Sequence, residues 1–107
     1  MVKLENFPYI MTKGLLPYII LAAIKTQKEA TAYAVIKRIH DELDVVMSVA
    51  TVYTAIYSLE REGYVKRTET DRVAKYRITS KGLILLQNAI VNLKELTPKI
   101  QLFLEKP

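Results

Sequence analysis

Ser48, Thr51, Thr54, Tyr53 and Tyr57 fall within ten residues and carry short hydroxyls and phenols at helical spacing. At about 100° per residue, Ala50, Thr54, Tyr57 and Arg61 share one face, flanked by Thr51 and Tyr53, while Val52, Ile56 and Leu59 share the opposite one. A solvent-facing helix normally carries Glu, Lys and Gln there. Small residues followed by hydroxyls let a helix enter a groove. Thr and Ser hydroxyls bond phosphates or base edges, and a phenol reaches a phosphate past its ring. Seven basic residues follow between Arg61 and Lys81, against Glu62, Glu69 and Asp71, so most of the net charge of +5 is concentrated there. Lys66, Arg67, Arg72, Lys75 and Arg77 could hold a polyanion backbone.

The elements that must position these groups follow from capping and periodicity. Ser48 is an N-cap for a helix over 48–62, closed by Gly63 in the position where helices end in a left-handed residue. Thr31 caps a preceding helix whose apolar stripe is Ala32, Val35, Ile36, Ile39 and Leu43. Gly14 and Pro17 mark the entry to an earlier helix reaching about Thr26, with Leu15, Leu16, Ile19, Ile20, Ala23 and Ile24 over most of its circumference. Strands are expected at Tyr64–Thr70 and Lys75–Thr79, joined through Asp71-Arg72-Val73-Ala74, with Tyr76 and Ile78 alternating inward. The short turn Asp44–Met47 offers Val45 and Val46 for a bridge to that sheet. Ser80 is expected to cap a last helix that Thr97-Pro98 interrupts or kinks before a final turn to Leu104.

Three helices followed by a hairpin and a further helix predict a mainly α fold with a small β-hairpin (α+β). The layout is a winged helix-turn-helix with an additional C-terminal dimerisation helix. The expected divisions are an N-terminal arm over 1–13, a DNA-binding unit over 14–80 and the dimerisation helix over 81–107. Helix 48–62 would read the major groove, and the hairpin over 64–79 would lie on the backbone and minor groove. The first eight residues of the reading helix contain no Arg, Asn or Gln, so specificity should lean on DNA shape, apolar contact with thymine methyls and the wing arginines. Arg72, at the wing tip, is the best placed to enter a minor groove.

Composition removes several classes of function. With 107 residues, half of them hydrophobic, the chain suits one domain with its own core. There is no cysteine, which excludes disulfides, thiol catalysis and zinc-thiolate sites. The apolar run Leu15–Ile24 is too short to span a bilayer. Nothing argues for export, so we expect a cytoplasmic protein without a membrane partner. His40 is the one histidine and lies beside an apolar stripe; no Gly-rich phosphate loop or His/carboxylate cluster accompanies it. We therefore expect no enzyme activity, no cofactor and no metal.

The segments Thr31-Ala-Tyr-Ala-Val-Ile36 and Met47-Ser-Val-Ala-Thr-Val-Tyr-Thr-Ala-Ile-Tyr-Ser-Leu-Glu-Arg-Glu-Gly-Tyr-Val65, with Lys75-Tyr-Arg-Ile-Thr-Ser-Lys-Gly82, resemble the PadR-like family of winged-helix transcriptional regulators. That resemblance implies a homodimeric DNA-binding repressor whose C-terminal helix builds the dimer. It puts Ser48, Thr51 and Tyr53 in the family's DNA-contacting motif and Tyr33 at its tyrosine of the preceding helix. Ala32 and Ala34 depart from the family's Gly and Glu, Val49 and Ala50 from its Pro-Gly, and the wing lacks glycine.

The last helix has more apolar surface than one small domain covers. Leu86, Ile90, Leu93, Thr97, Ile100 and Leu104 alternate spacings of four and three, the seam of a coiled coil. A second stripe holds Ile84, Leu85, Val91, Leu96, Leu102 and Phe103. The expected partners are double-stranded DNA, a second copy of the chain and a small apolar effector in a cavity near the dimer helix. Two rival readings share the scaffold: a non-specific, chromatin-type DNA binder, and a protein-interaction module that does not touch DNA.

Overall fold

Local capping sets most of the element boundaries. The computed structural model describes residues 3–107, the Thr70 side chain apart. Five helices and one hairpin follow in the order α1 (Phe7–Gly14), α2 (Leu16–Gln27), α3 (Ala32–Leu43), α4 (Val49–Arg61), β1 (Val65–Thr70), β2 (Val73–Ile78) and α5 (Ser80–Glu105). The Thr31 side chain accepts the Ala34 N–H, and Ser48 accepts the Thr51 N–H, so α3 and α4 start one residue after their expected caps. The α3–α4 corner closes on Asp44 in the left-handed region, a conformation Asp tolerates better than most residues.

Where structure and expectation differ, the reason is physical. Most of the N-terminal arm is the helix α1. Asn6 caps it by accepting the Tyr9 N–H, and Pro8 sits in its opening turn, where a missing N–H costs nothing. Gly14 ends α1 and does not open the next helix; the chain turns by 72° through Leu15 into α2. Val45 and Val46 make no bridge. Val45 is buried and Val46 exposed, and the residue that pairs with the sheet is Ala30, by reciprocal backbone hydrogen bonds with Tyr76 of 2.9 and 3.0 Å. β1 starts one residue later than expected, and β2 starts two residues earlier and ends at Ile78, so the turn is tighter than expected and rests on two residues, Asp71 and Arg72, both at positive φ. This is the turn whose twist matches paired strands, made here without its usual glycine. Thr79, not Ser80, caps α5: its hydroxyl accepts the Gly82 N–H and donates to the carbonyls of Gly63 and Tyr64. Finally, α5 runs unbroken through Pro98, which removes one backbone donor from the helix.

The core is a single cluster on which every element except α1 places a buried side chain. Ile20, Leu21 and Ile24 of α2 lie at its centre with Val35 and Ile39 of α3, Val52, Ile56 and Leu59 of α4, Val65 and Tyr76 of the hairpin, and Leu86 of α5. Burying each such side chain contributes about 1.5–3 kcal/mol. The inward stripe of α4 is therefore fixed, and its opposite face is left outward. One close approach locks α5 to the hairpin: a Cβ at Gly82 would lie 2.2 Å from the Tyr64 carbonyl oxygen. Beyond Leu86, α5 leaves this core, and the molecule extends to 57 Å along one axis.

Candidate nucleic-acid interface

The outward face of α4 is the surface the residue pattern called for. Ser48, Ala50, Thr54 and Arg61 are exposed, Thr51 and Tyr53 are partly exposed, and Tyr57 is exposed. The hydroxyls are pre-arranged by the helix itself. Ser48 Oγ accepts the Thr51 N–H and lies 2.7 Å from Thr51 Oγ1, so the two hydroxyls are hydrogen-bonded to each other at the start of α4. Thr54 Oγ1 donates to the Ala50 carbonyl at 2.8 Å and therefore faces solvent as an acceptor. The Tyr53 and Tyr57 rings meet at 5.7 Å, tilted by 43°, and Tyr53 also packs on the core, which holds Tyr57 upright beside it. Tyr33, at the start of α3, is 74% exposed.

Two residues that the sequence reading passed over join this surface. Val46 and Val49 flank the Ser48 cap and are 74% and 58% exposed. An apolar side chain left in water at the leading end of a reading helix suits contact with a thymine methyl. The available signal was their position, one on each side of the cap, with no core stripe to absorb either.

The hairpin register sorts its cations onto two faces. Residues directly opposite share a face: Val65 with Ile78, Arg67 with Tyr76, and Glu69 with Ala74 on one; Lys66 with Arg77 and Thr68 with Lys75 on the other. Val65 and Tyr76 are buried, so the first set faces the helices. Burial raises the Tyr76 phenol above its ordinary pKa, and the Arg67 charge opposes that rise, with Tyr53, Tyr57 and Glu60 of α4 also within electrostatic reach. Arg67 therefore stands on the α4 side of the sheet, in a loose 3.4 Å pair with Glu69. Lys66, Lys75 and Arg77 point the other way. Arg72 occupies the tip, exposed and at φ 65°. Lys81 is engaged elsewhere: its ammonium donates to the Glu62 carbonyl at 2.6 Å and lies 4.6 Å over the Tyr64 ring.

The residues expected to bind a second copy divide as well. Leu86 is in the core of its own subunit, whereas Ile90, Leu93, Ile100, Phe103 and Leu104 are exposed along α5. Leu15 and, from α2, Tyr18, Ile19 and Ala22 face Ile90, Leu93 and Leu96 of α5 across an apolar groove of about 330 Å³. Among the described residues, no group of three or more His, Asp or Glu side chains could hold a metal ion, and no single helix is long and apolar enough to cross a membrane.

Comparison with known proteins agrees with this geometry. The family model for the transcriptional regulator PadR-like family matches residues 20–88. A transcriptional regulator from Clostridium thermocellum superposes with a TM-score of 0.79 at 25% identity, over 99% of this chain and 100% of that one. A PadR family transcriptional regulator from Eggerthella lenta gives 0.81 at 20% identity, over 96% and 93%. A winged-helix DNA-binding protein, F93 from STIV, gives 0.70 at 19% identity, over 77% and 90%. No curated protein matches the chain in sequence.

Proposed function

The chain belongs to the PadR-like family of transcriptional regulators, and from that premise we propose that it is a homodimeric repressor that reads a specific duplex sequence. The observation that carries this reading is the outward face of α4, where Thr54 and Tyr57 stand exposed and Thr51 partly exposed, with Arg67 on the α4 side of the hairpin and Arg72 exposed at its tip. In this proposal α4 enters the major groove. Ala50 allows close approach, Ser48, Thr51 and Thr54 supply hydroxyls, and Val46 and Val49 meet thymine methyls. Tyr33, Tyr53, Tyr57 and Arg61 hold flanking phosphates, while Arg72 enters the adjoining minor groove. Polar contacts of this kind orient the protein, and the shortage of bidentate base readers makes DNA shape part of the code.

A second copy covers the exposed apolar side chains of α5. Nine large apolar residues from Ile84 to Leu104 are exposed on that helix, and Leu4, Phe7, Ile10 and Met11 of the N-terminal segment are exposed as well. A solvated face of that size is an association surface. A small apolar effector would have to use the groove between α2 and α5, next to the partner's helix, where it could alter the spacing of the two reading helices.

Selection of bound sequences from random duplex DNA tests the proposal. A two-fold symmetric motif should emerge, with half-sites one helical turn apart, about 34 Å. The selected duplex should bind at least about 10³-fold more tightly than random DNA. Thr54→Ala and Tyr57→Ala should change the selected sequence. Uniform binding to all duplexes would instead favour a general DNA binder, and no binding to any duplex would favour a protein-interaction module.

A further inference from the structure

Two of the three hairpin cations that face away from α4 do not stand alone. Lys66 and Arg77, opposite each other in the register, line a groove of about 680 Å³ together with Lys25 and Lys28 from the end of α2. The Ala30–Tyr76 bridge brings the α2 end to this place, because it ties the chain just after Lys28 to the edge of β2. All four cations are exposed, and among the described residues none has a carboxylate within ion-pair distance. By contrast, Lys37 and Arg38 on α3 are neutralised by Asp41 and Glu42 at 2.5 Å, as ordinary solvated helix faces are. Ile78, at the end of β2, and Leu83 add apolar lining where the groove meets α5, and the first turn of α5 at Thr79 and Ser80 adds the positive end of a 26-residue helix. The groove is open, and its cations are carried mainly on flexible stems. That is poor geometry for enclosing one small anion and good geometry for following a chain of phosphates.

We propose that this groove binds the backbone of a second segment of duplex DNA, so that one molecule holds its operator with α4 and another stretch of DNA on the back of its hairpin. The inference rests on the DNA-binding reading of α4. It adds that the cations on the face of the sheet turned away from α4 also form a nucleic-acid surface. A regulator built this way would join separated sites or pack DNA along its flank.

The test uses the full chain, an immobilised duplex carrying the selected operator, and a fluorescent random-sequence duplex in solution. Wild-type protein bound to the operator should capture the second duplex. Lys25→Glu with Lys28→Glu, both on the surface and outside the operator-reading face, should leave operator affinity unchanged. That pair should reduce capture roughly tenfold and lower its log–log salt dependence by about one unit for each cation lost. A second variant, Thr54→Ala with Tyr57→Ala, should lose operator preference yet still bind random duplex through the back groove. Capture by the double glutamate variant at the wild-type level, or absence of capture by operator-bound wild type, would overturn the proposal. Retained operator preference in the Thr54/Tyr57 variant would instead count against the reading of α4, so the two failures are distinguishable.

Discussion

At the scale of single residues, the wing tip sets the proposed DNA contact of Arg72 against backbone preference. A two-residue turn with both φ values positive favours Asn-Gly, yet this chain has Asp71 at φ 53° and Arg72 at 65°. Left-handed backbone costs an ordinary L-residue roughly 1–2 kcal/mol. Glycine would relieve this, but it would also add unfolded-state freedom worth roughly 0.5–1 kcal/mol. The relief exceeds the cost by about 0.5–1 kcal/mol, so Arg72→Gly should leave thermal stability unchanged or raise it by a few degrees. The guanidinium, in contrast, has no intramolecular ion pair among the described residues and stands free for a ligand. Arg72→Gly should therefore weaken binding of the selected duplex by roughly 1–3 kcal/mol, with no loss of melting temperature. Titration of DNA and a thermal melt on the same sample check both halves, and a large drop in melting temperature with unchanged affinity would assign Arg72 to the fold instead.

At the scale of elements, the joint between the hairpin and α5 holds the wing at its angle to the reading helix. Thr79 bonds the carbonyls of Gly63 and Tyr64 while capping α5, and Gly82 sits where a Cβ would collide with the Tyr64 carbonyl. Gly82→Ala should destabilise the protein by about 1–3 kcal/mol, because the clash is with backbone and cannot be relieved by a rotamer change. Denaturant unfolding measures this; a neutral substitution would mean the joint is looser than it stands here. Such joints explain what the sequence could and could not reveal. The stripes of α3 and α4, their caps Thr31 and Ser48, and the outward hydroxyl face were legible because they depend on residues three and four apart. Asn6 and Pro8 also carried a local helix signal, but α1 is only eight residues long and mostly exposed, so periodicity gave it little weight. The choice between Thr79 and Ser80 as cap depended on β2 ending at Ile78, which two adjacent hydroxyl residues do not reveal. The Ala30–Tyr76 bridge, and with it the meeting of Lys25 and Lys28 with Lys66 and Arg77, is a contact between residues 46 positions apart, with no short-range signature. The two-faced distribution of wing cations follows from period two alone and was available in principle, but only once the strand limits were known.

At the scale of the whole molecule, the proposed dimer rests on α5. A helix of 26 residues would be about 39 Å long, and past Leu86 every large apolar side chain it carries is exposed. Pro98 within it costs about 3 kcal/mol in an isolated helix, and tertiary packing of an apolar face is what normally offsets such a cost. The apolar groove between α2 and α5 continues onto that same exposed surface through Leu93 and Leu96, so one partner helix laid along α5 would bury both at once. Breaking this contact should affect more than oligomeric state. Two reading helices on one rigid dimer bind their half-sites as a single event, whereas separate subunits each lose translational and rotational freedom, a cost of several kcal/mol. Leu93→Glu, with a second variant Ile100→Glu farther along the same stripe, should therefore give a monomeric mass in analytical ultracentrifugation. Each should lower affinity for the two-half-site duplex by at least about 100-fold, and affinity for an isolated half-site much less. The Ile100 variant guards against misfolding, since that residue lies outside the subunit's core and its loss should leave the helical signal of the folded unit largely intact. A monomeric variant that still bound the full operator as tightly as wild type would show that α5 serves something other than pairing the two reading helices.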